Sequence, residues 1–214
     1  MKTPRSPRLQ LLQPDVVKGL IANLRLTRLL KRLPERPVWA LFMFINGFIA
    51  IAIMSGIAML SGTPFIFPSL GPTAVLLFYS PLTPPASPRH SVLGHAIGIV
   101  CGYGSLWVVS MQHAPAITAE GVHLHRILAA ALSLGLTGAL MILLKAAHPP
   151  AAATTLIISL GIVTKPFDLV IIEVAVVLLV LQGFIINRLA GLNYPIWALR
   201  EKTPAQAESG SEPA

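Results

Sequence analysis

Long apolar stretches constrain this chain more than any other feature of its sequence. A helix that crosses the hydrocarbon core of a bilayer needs roughly 20 apolar residues, and stretches of that order recur from Val38 onward. Only 11% of the residues are charged. Soluble domains carry about 25%, so this chain has too few charges to cover a water-facing surface. The sequence therefore predicts an all-α polytopic membrane protein rather than a soluble or secreted one.

Six apolar segments can be drawn, and they are not all alike. Their approximate bounds are 38–60, 64–80, 92–111, 127–144, 149–163 and 167–186. The second and fifth are short and broken by proline, whereas the other four are ordinary spans. We interpret the chain as three parts: a basic cytoplasmic segment at 1–37, one transmembrane domain at 38–195 and a polar, disordered tail at 196–214.

The basic residues set the expected orientation in the membrane. Nine Lys or Arg residues precede Val38, which favours a cytoplasmic N-terminus in the inner, or plasma, membrane. With six passes, the loop that contains Glu120 faces outside, and Arg126 and Lys165 are exceptions to the charge bias. Four passes with segments two and five re-entrant also place both termini inside, so both alternatives stay open.

The order of the segments suggests an internal repeat. Segments one to three read as a long helix, a proline-broken short segment and a glycine-rich long helix, and segments four to six follow the same order. Three passes are an odd number, so the two three-segment halves would have opposite orientation. Such inverted-topology repeats are typical of secondary transporters.

The two proline breaks are the best candidates for a binding site. Proline suits the first turn of a helix, and a helix start carries unpaired N–H groups and partial positive charge. Two starts near the bilayer midplane would suit an anion, with hydroxyl groups as further donors and Gly71 allowing close backbone approach. Proline kinks in spanning helices are the structural alternative. The predicted substrate-binding residues are Ser69, Gly71, Pro72, Thr73, His148, Pro149, Pro150, Ala151, Thr154 and Thr155.

Ionisable residues within apolar segments give a second signal, because such residues are costly in a membrane unless they face protein or water. His95, His148 and Glu173 are the candidates for a proton relay. A backbone hydrogen bond for His148, and headgroup contact for His95 and Glu173, are the structural alternatives. Asn187 is interpreted as a hydrogen-bond partner between helices. Gly94, Gly98 and Gly102 belong to a glycine stripe that helix packing explains.

Three stretches resemble the HPP family of integral membrane proteins. They are Ala147-His148-Pro149-Pro150-Ala151-Ala152-Ala153-Thr154, the stretch from Pro68 to Phe78, and Pro88-Arg89-His90 followed by Gly94-His95. The resemblance covers about residues 38–195. Some photosynthetic members of the family are linked to nitrite transport, so the resemblance implies nitrite as a candidate substrate.

We expect a transporter or channel for a small inorganic anion, not an enzyme, with no cofactor, no resident metal and no nucleic-acid partner. The lipid bilayer is its other partner, and association of identical chains stays open. Two rival interpretations remain. One is an intramembrane metal-site or enzymatic protein that uses His95, His148 and Glu173, and the other is a structural or assembly protein of the membrane.

Overall fold

The computed structural model describes residues 25–199, and within that range every regular element is a helix. The predictions for the residues before Arg25 and for the tail from residue 200 lie outside the described residues. The helices are α1 (Leu26–Leu29), α2 (Glu35–Ser61), α3 (Leu70–Tyr79), a 3-10 turn (Pro84–Ala86), α4 (Pro88–Val108), α5 (Ile117–Glu120), α6 (Leu124–Leu143), α7 (Ala151–Ser159) and α8 (Pro166–Leu189).

Four of these helices, α2, α4, α6 and α8, are long and apolar enough to cross a membrane. Their lengths are 27, 21, 20 and 24 residues, and the shortest rises about 30 Å, the thickness of the hydrocarbon core. Large apolar side chains remain exposed on α2, including Phe44 at 70% and Leu60 at 84%. Lipid is the solvent that such a surface requires. The prediction of a helical membrane protein is confirmed.

The helices α3 and α7 are much shorter, as the proline breaks predicted. They have 10 and 9 residues, which rise about 15 Å and 14 Å, or roughly half of the hydrocarbon core. Helix α3 ends before Pro81, which has no N–H to donate to the carbonyl of Leu77. Helix α7 ends at Ser159, two residues before Gly161, whose φ of 78° suits glycine. Helix length therefore supports four passes, and six passes remain a prediction.

The chain divides into two compact units that are not the predicted sequence halves. Among the described residues, the first unit joins 25–81 with Lys165–Tyr194, and the second joins Leu82–Thr164 with 195–199. The first unit therefore contains α1, α2, α3 and α8, and the second contains α4 to α7. The physical reason is packing, because α8 lies on α2 and α3, and α4 lies on α6 and α7. Each unit therefore contains one long helix from the other predicted half: α8 in the first unit and α4 in the second.

Within the first unit, one hydrogen bond joins α8 to α3, and one glycine allows the two helices to pack closely. The Asn187 side chain donates from Nδ2 to the carbonyl of Leu77 at 2.9 Å, the same carbonyl that Pro81 leaves without a helical partner. One turn earlier, a Cβ on Gly183 would lie 3.1 Å from Leu77 Cδ1. The prediction that Asn187 bonds between helices is confirmed.

Two arginines hold helix ends within the second unit. Arg89, at the start of α4, donates from Nη1 and Nη2 to the carbonyls of Lys145 and Leu144, at the end of α6. Arg126, at the start of α6, is 2% exposed and donates to the carbonyls of Ser159 and Pro115 at 3.2 Å and 2.6 Å. A guanidinium group suits the partial negative charge of a helix end. Arg126 thus caps the end of α7, which gives a structural reason for a basic residue at this position.

Candidate functional site

Two buried histidines lie side by side in the second unit. The ring centroids of His95, on α4, and His148, just before α7, are 4.9 Å apart, and both side chains are fully buried. His95 Nδ1 lies 2.8 Å from Thr154 Oγ1. His148 Nδ1 lies 2.7 Å from the carbonyl of Pro85, and a carbonyl only accepts, so this nitrogen donates. The neutral tautomer of His148 therefore has its lone pair on Nε2.

The environment of His148 favours its neutral form. Burial lowers the pKa of His148, the carbonyl of Pro85 opposes that effect, and positive charge on His90 lowers the pKa further. Desolvation acts in this direction because it disfavours the charged imidazolium. The backbone hydrogen bond that was the structural alternative for His148 is present. Its functional role stays a prediction.

A threonine joins three helices beside the histidine pair. Thr155 donates from Oγ1 to the carbonyl of Gly98 on α4 at 3.1 Å. Its hydroxyl lies 2.8 Å from that of Thr137 on α6. Since the Thr155 proton is used on Gly98, Thr137 is the donor in the second bond. The predicted residues Thr154 and Thr155 therefore have distinct partners, one in the histidine pair and one in the helix contacts.

Glycines on α4 allow α7 and His148 to approach closely. A Cβ on Gly94 would lie 2.5 Å from His148 Cβ, and one on Gly98 would lie 2.9 Å from the carbonyl oxygen of Ala151. One on Gly102 would lie 2.9 Å from the carbonyl oxygen of Thr155. The prediction that this stripe serves helix packing is confirmed for these three glycines.

The start of α7 was predicted to carry free N–H groups, but these groups are hydrogen-bonded. Its first N–H groups, those of Ala151, Ala152 and Ala153, donate to the carbonyls of His148, Pro149 and Pro150 at 3.0 to 3.1 Å. The chain turns tightly through the two prolines, so local carbonyls take these donors. In this part of the protein, side chains rather than backbone N–H groups form the polar site.

The other predicted helix start belongs to the first unit. Ser69 and Thr73 are buried and Pro72 is exposed. The Thr73 hydroxyl donates to the carbonyl of Ser69 at 2.9 Å. A Cβ on Gly71 would meet no neighbouring atom within 4 Å. No protein atom therefore packs against Gly71 at this position, and the close approach of an anion to its backbone stays a prediction.

A basic cavity lies in the second unit, and two of its lining residues are chain neighbours of residues in or bonded to the histidine pair. It has a volume of about 480 Å³ and is lined by Pro84, Arg89, His90, Lys145, Ala147, Ala198 and Leu199. Three of these residues carry basic groups, and no lining residue is acidic. Pro84 and Ala147 are the chain neighbours of Pro85 and His148. We call this cavity the basic vestibule.

The vestibule shows which residues sequence reasoning missed. Sequence reasoning named Arg89 only within the Pro88-Arg89-His90 motif and did not single out Lys145 as a site residue. Lys145 follows the end of α6 and adopts a left-handed conformation with a φ of 49°. Glycine is the usual residue at such a position. A sequence reveals neither this backbone angle nor the contact between Arg89 and the carbonyl of Lys145. No signal in the sequence therefore marked Lys145 as a site residue.

Glu173, the third proton-relay candidate, lies on α8 in the first unit. Both of its carboxylate oxygens are buried, and neither has a hydrogen-bond partner. Among residues 25–199, there is no group of three or more His, Cys, Asp or Glu side chains that could hold a metal ion. His95 and His148 are therefore the only predicted ionisable residues brought together within the described part of either unit.

A family model matches the whole of the predicted transmembrane domain at 38–195. Residues 34–195 match the family model described as HPP, transmembrane region. The chain belongs to the HPP family. A transmembrane protein of Dictyostelium discoideum is 32% identical to it over 118 residues, which make up 53% of this chain and 35% of that protein. The chain thus covers about a third of the length of that relative. No solved structure matches this HPP family protein.

Proposed function

We propose that this protein moves a small inorganic anion across the inner, or plasma, membrane, as a transporter or channel and not as an enzyme. The basic vestibule is the observation that carries the proposal. Arg89, His90 and Lys145 line it without an acidic residue. A concave site lined by one sign of charge concentrates counter-ions at its mouth. The linkage of some family members to nitrite makes nitrite the first substrate to test.

The histidine pair supports an inner binding position beyond the vestibule. His95, His148 and Thr154 are buried polar groups within a membrane domain, where such groups usually mark a transport pathway. They are aromatic or hydroxyl groups without a carboxylate, so an anion would meet no like charge among them. We propose this cluster in place of the helix-start donors at Ala151–Ala153, which local carbonyls occupy.

The composition of the two units supports an inverted repeat. Each contains a long helix, a short helix that follows it in sequence, and one more long helix: α2, α3 and α8 in the first unit, and α6, α7 and α4 in the second. In each unit, glycine on the third helix faces the short helix, Gly183 toward α3 and Gly98 toward α7. We propose that the units are two copies of one three-helix fold that exchange their third helix.

We also propose six passes, with both termini cytoplasmic. Under that topology the vestibule residues Arg89 and Lys145 face the cytoplasm, as basic residues near membrane segments usually do. We propose that the protein contacts lipid and can associate with identical chains. We do not propose a nucleic-acid partner.

Uptake by reconstituted vesicles tests the proposed function. The parent protein should accelerate uptake of nitrite or of another small anion in a panel that includes nitrate, formate and chloride. Lys145→Gln should lower the uptake rate by roughly ten-fold at low salt, and less at high salt, because the vestibule loses a cation whose field salt screens. Lys165→Gln is the matched control, since Lys165 is an exposed lysine outside the vestibule.

Two outcomes would contradict the proposal. If the folded parent protein moves no anion in the panel, the structural and enzymatic interpretations replace the transporter. If Lys145→Gln and Lys165→Gln reduce uptake equally, the vestibule is not the entrance for the anion.

A further inference from the structure

The side chain of Glu173 is an unusual group within the first unit. It lies seven residues after Pro166, so it is about 10 Å along α8 from the start of this helix. Both carboxylate oxygens are buried, and neither has a hydrogen-bond partner. Asp168, on the same helix, lies in the first turn. Glu173 is therefore a carboxyl group inside a spanning helix, and Asp168 is a natural comparison for it.

No described charge in the first unit compensates Glu173. Helix α8 packs against α2 and α3. The titratable or charged residues on these three helices, besides Glu173, are Glu35, Arg36, Tyr79, Asp168 and Arg188. None of them forms a hydrogen bond with Glu173. An ionised carboxylate that is removed from water needs a cation or several hydrogen-bond donors, and a group without either takes up a proton instead.

From this geometry we infer that Glu173 is a proton-binding site in the membrane domain, neutral in the resting protein. This inference rests in part on the proposed function, because it makes anion movement proton-linked: a proton enters or leaves Glu173 in each transport cycle. The two buried histidines differ from Glu173, because each has a hydrogen-bond partner for its Nδ1 atom, Thr154 or the carbonyl of Pro85.

Labelling with carbodiimides tests the proton site without any transport assay. A protonated carboxyl group adds across a C=N bond: the carboxyl oxygen bonds to the central carbon, the proton goes to nitrogen, and nothing leaves. Dicyclohexylcarbodiimide is apolar and should modify Glu173 in the full-length protein in lipid vesicles, with the mass of one reagent molecule on its peptide. A water-soluble carbodiimide should modify the exposed Glu120 and not Glu173.

Variants and pH make this labelling experiment specific. Glu173→Gln should abolish the dicyclohexylcarbodiimide adduct on that peptide, and Asp168→Asn should leave it unchanged. Labelling should be roughly ten-fold faster at about pH 6 than at about pH 9, because only the protonated acid reacts. Faster labelling of Glu173 by the water-soluble reagent, or no adduct at any pH in this range, would show that the group is hydrated or ionised and would overturn the inference.

A pH indicator inside the vesicles tests the link to transport. In the parent protein an imposed anion gradient should change the internal pH, whereas Glu173→Gln should either stop transport or move the anion without that change. Transport by the parent without any pH change would refute the linkage. If the parent moves no anion at all, the proposed function fails, and the labelling result alone decides the proton site.

Discussion

At the scale of single residues, His148 makes the stability of the protein depend on pH. Its lowered pKa means that the folded protein takes up a proton at this site only at a lower pH than the unfolded chain, whose histidine titrates near about 6.5. As the pH falls below about 6.5, the unfolded state binds more protons, so the free energy of unfolding decreases. The contribution of neutral His148 is fully present above that pH.

We predict that His148→Asn flattens this acid-induced loss of stability. The Asn side chain can still donate toward the carbonyl of Pro85, and it does not titrate. Thermal unfolding in detergent between about pH 7 and about pH 5 should show a smaller decrease in the variant than in the parent. His125→Asn changes an exposed histidine and should keep the parental slope. Equal slopes for the parent and His148→Asn would contradict the prediction.

At Lys145, stability and the proposed function favour different residues. A non-glycine residue in the left-handed region costs about 1–2 kcal/mol, and the greater flexibility of glycine in the unfolded chain offsets part of that. We predict that Lys145→Gly raises the free energy of unfolding by up to about 1 kcal/mol while it slows anion uptake. Ser110 has the same conformation at the end of α4, with a φ of 57°. Ser110→Gly should therefore give a similar gain in thermal unfolding and leave uptake unchanged, and a loss of uptake there would count against a specific role of Lys145.

At the scale of helices, the contact between α4 and α7 depends on glycine at particular positions. A Cβ on Gly98 would lie 2.8 Å from Thr155 Oγ1 and 2.9 Å from the carbonyl oxygen of Ala151, and the backbone oxygen cannot move without moving α7. We predict that Gly98→Ala lowers the free energy of unfolding by about 1–3 kcal/mol. A Cβ on Gly104 would meet no atom within 4 Å, so Gly104→Ala should be neutral or stabilising by up to about 1 kcal/mol. Thermal melts in which both variants behave alike would refute this account.

Helix positions could be predicted from the sequence, but helix partners could not. The six apolar segments and their proline breaks coincide with α2, α3, α4, α6, α7 and α8, because segment length and proline act locally. The predicted second segment began at Pro64, whereas α3 begins at Leu70. Periodicity does not identify the helix against which an apolar face packs. It therefore could not pair His95 with Thr154, or give α8 to the unit that contains α2.

At the scale of the whole molecule, the number of passes determines which loops face the cytoplasm. With six passes and a cytoplasmic N-terminus, the loop with Glu120 is outside and Lys145 is inside. With four passes, α3 and α7 re-enter, and these two positions exchange sides. We predict that a membrane-impermeant thiol reagent modifies Glu120→Cys in intact cells and modifies Lys145→Cys only after the membrane is opened. The native Cys101 is buried and provides the background in the parent protein. The opposite labelling pattern would establish four passes.

The division of the chain into units also sets an order of events during synthesis. The helices of the second unit are consecutive in sequence, so the ribosome has delivered all of them once Thr164 has been added. Among the described helices that are long enough to span a membrane, the first unit contains the earliest, α2, and the last, α8. Until α8 has entered the bilayer, the Leu77 carbonyl lacks Asn187 and the face of α3 toward Gly183 lacks its neighbour. The nascent protein therefore has an incomplete first unit throughout the synthesis of the residues between α3 and α8.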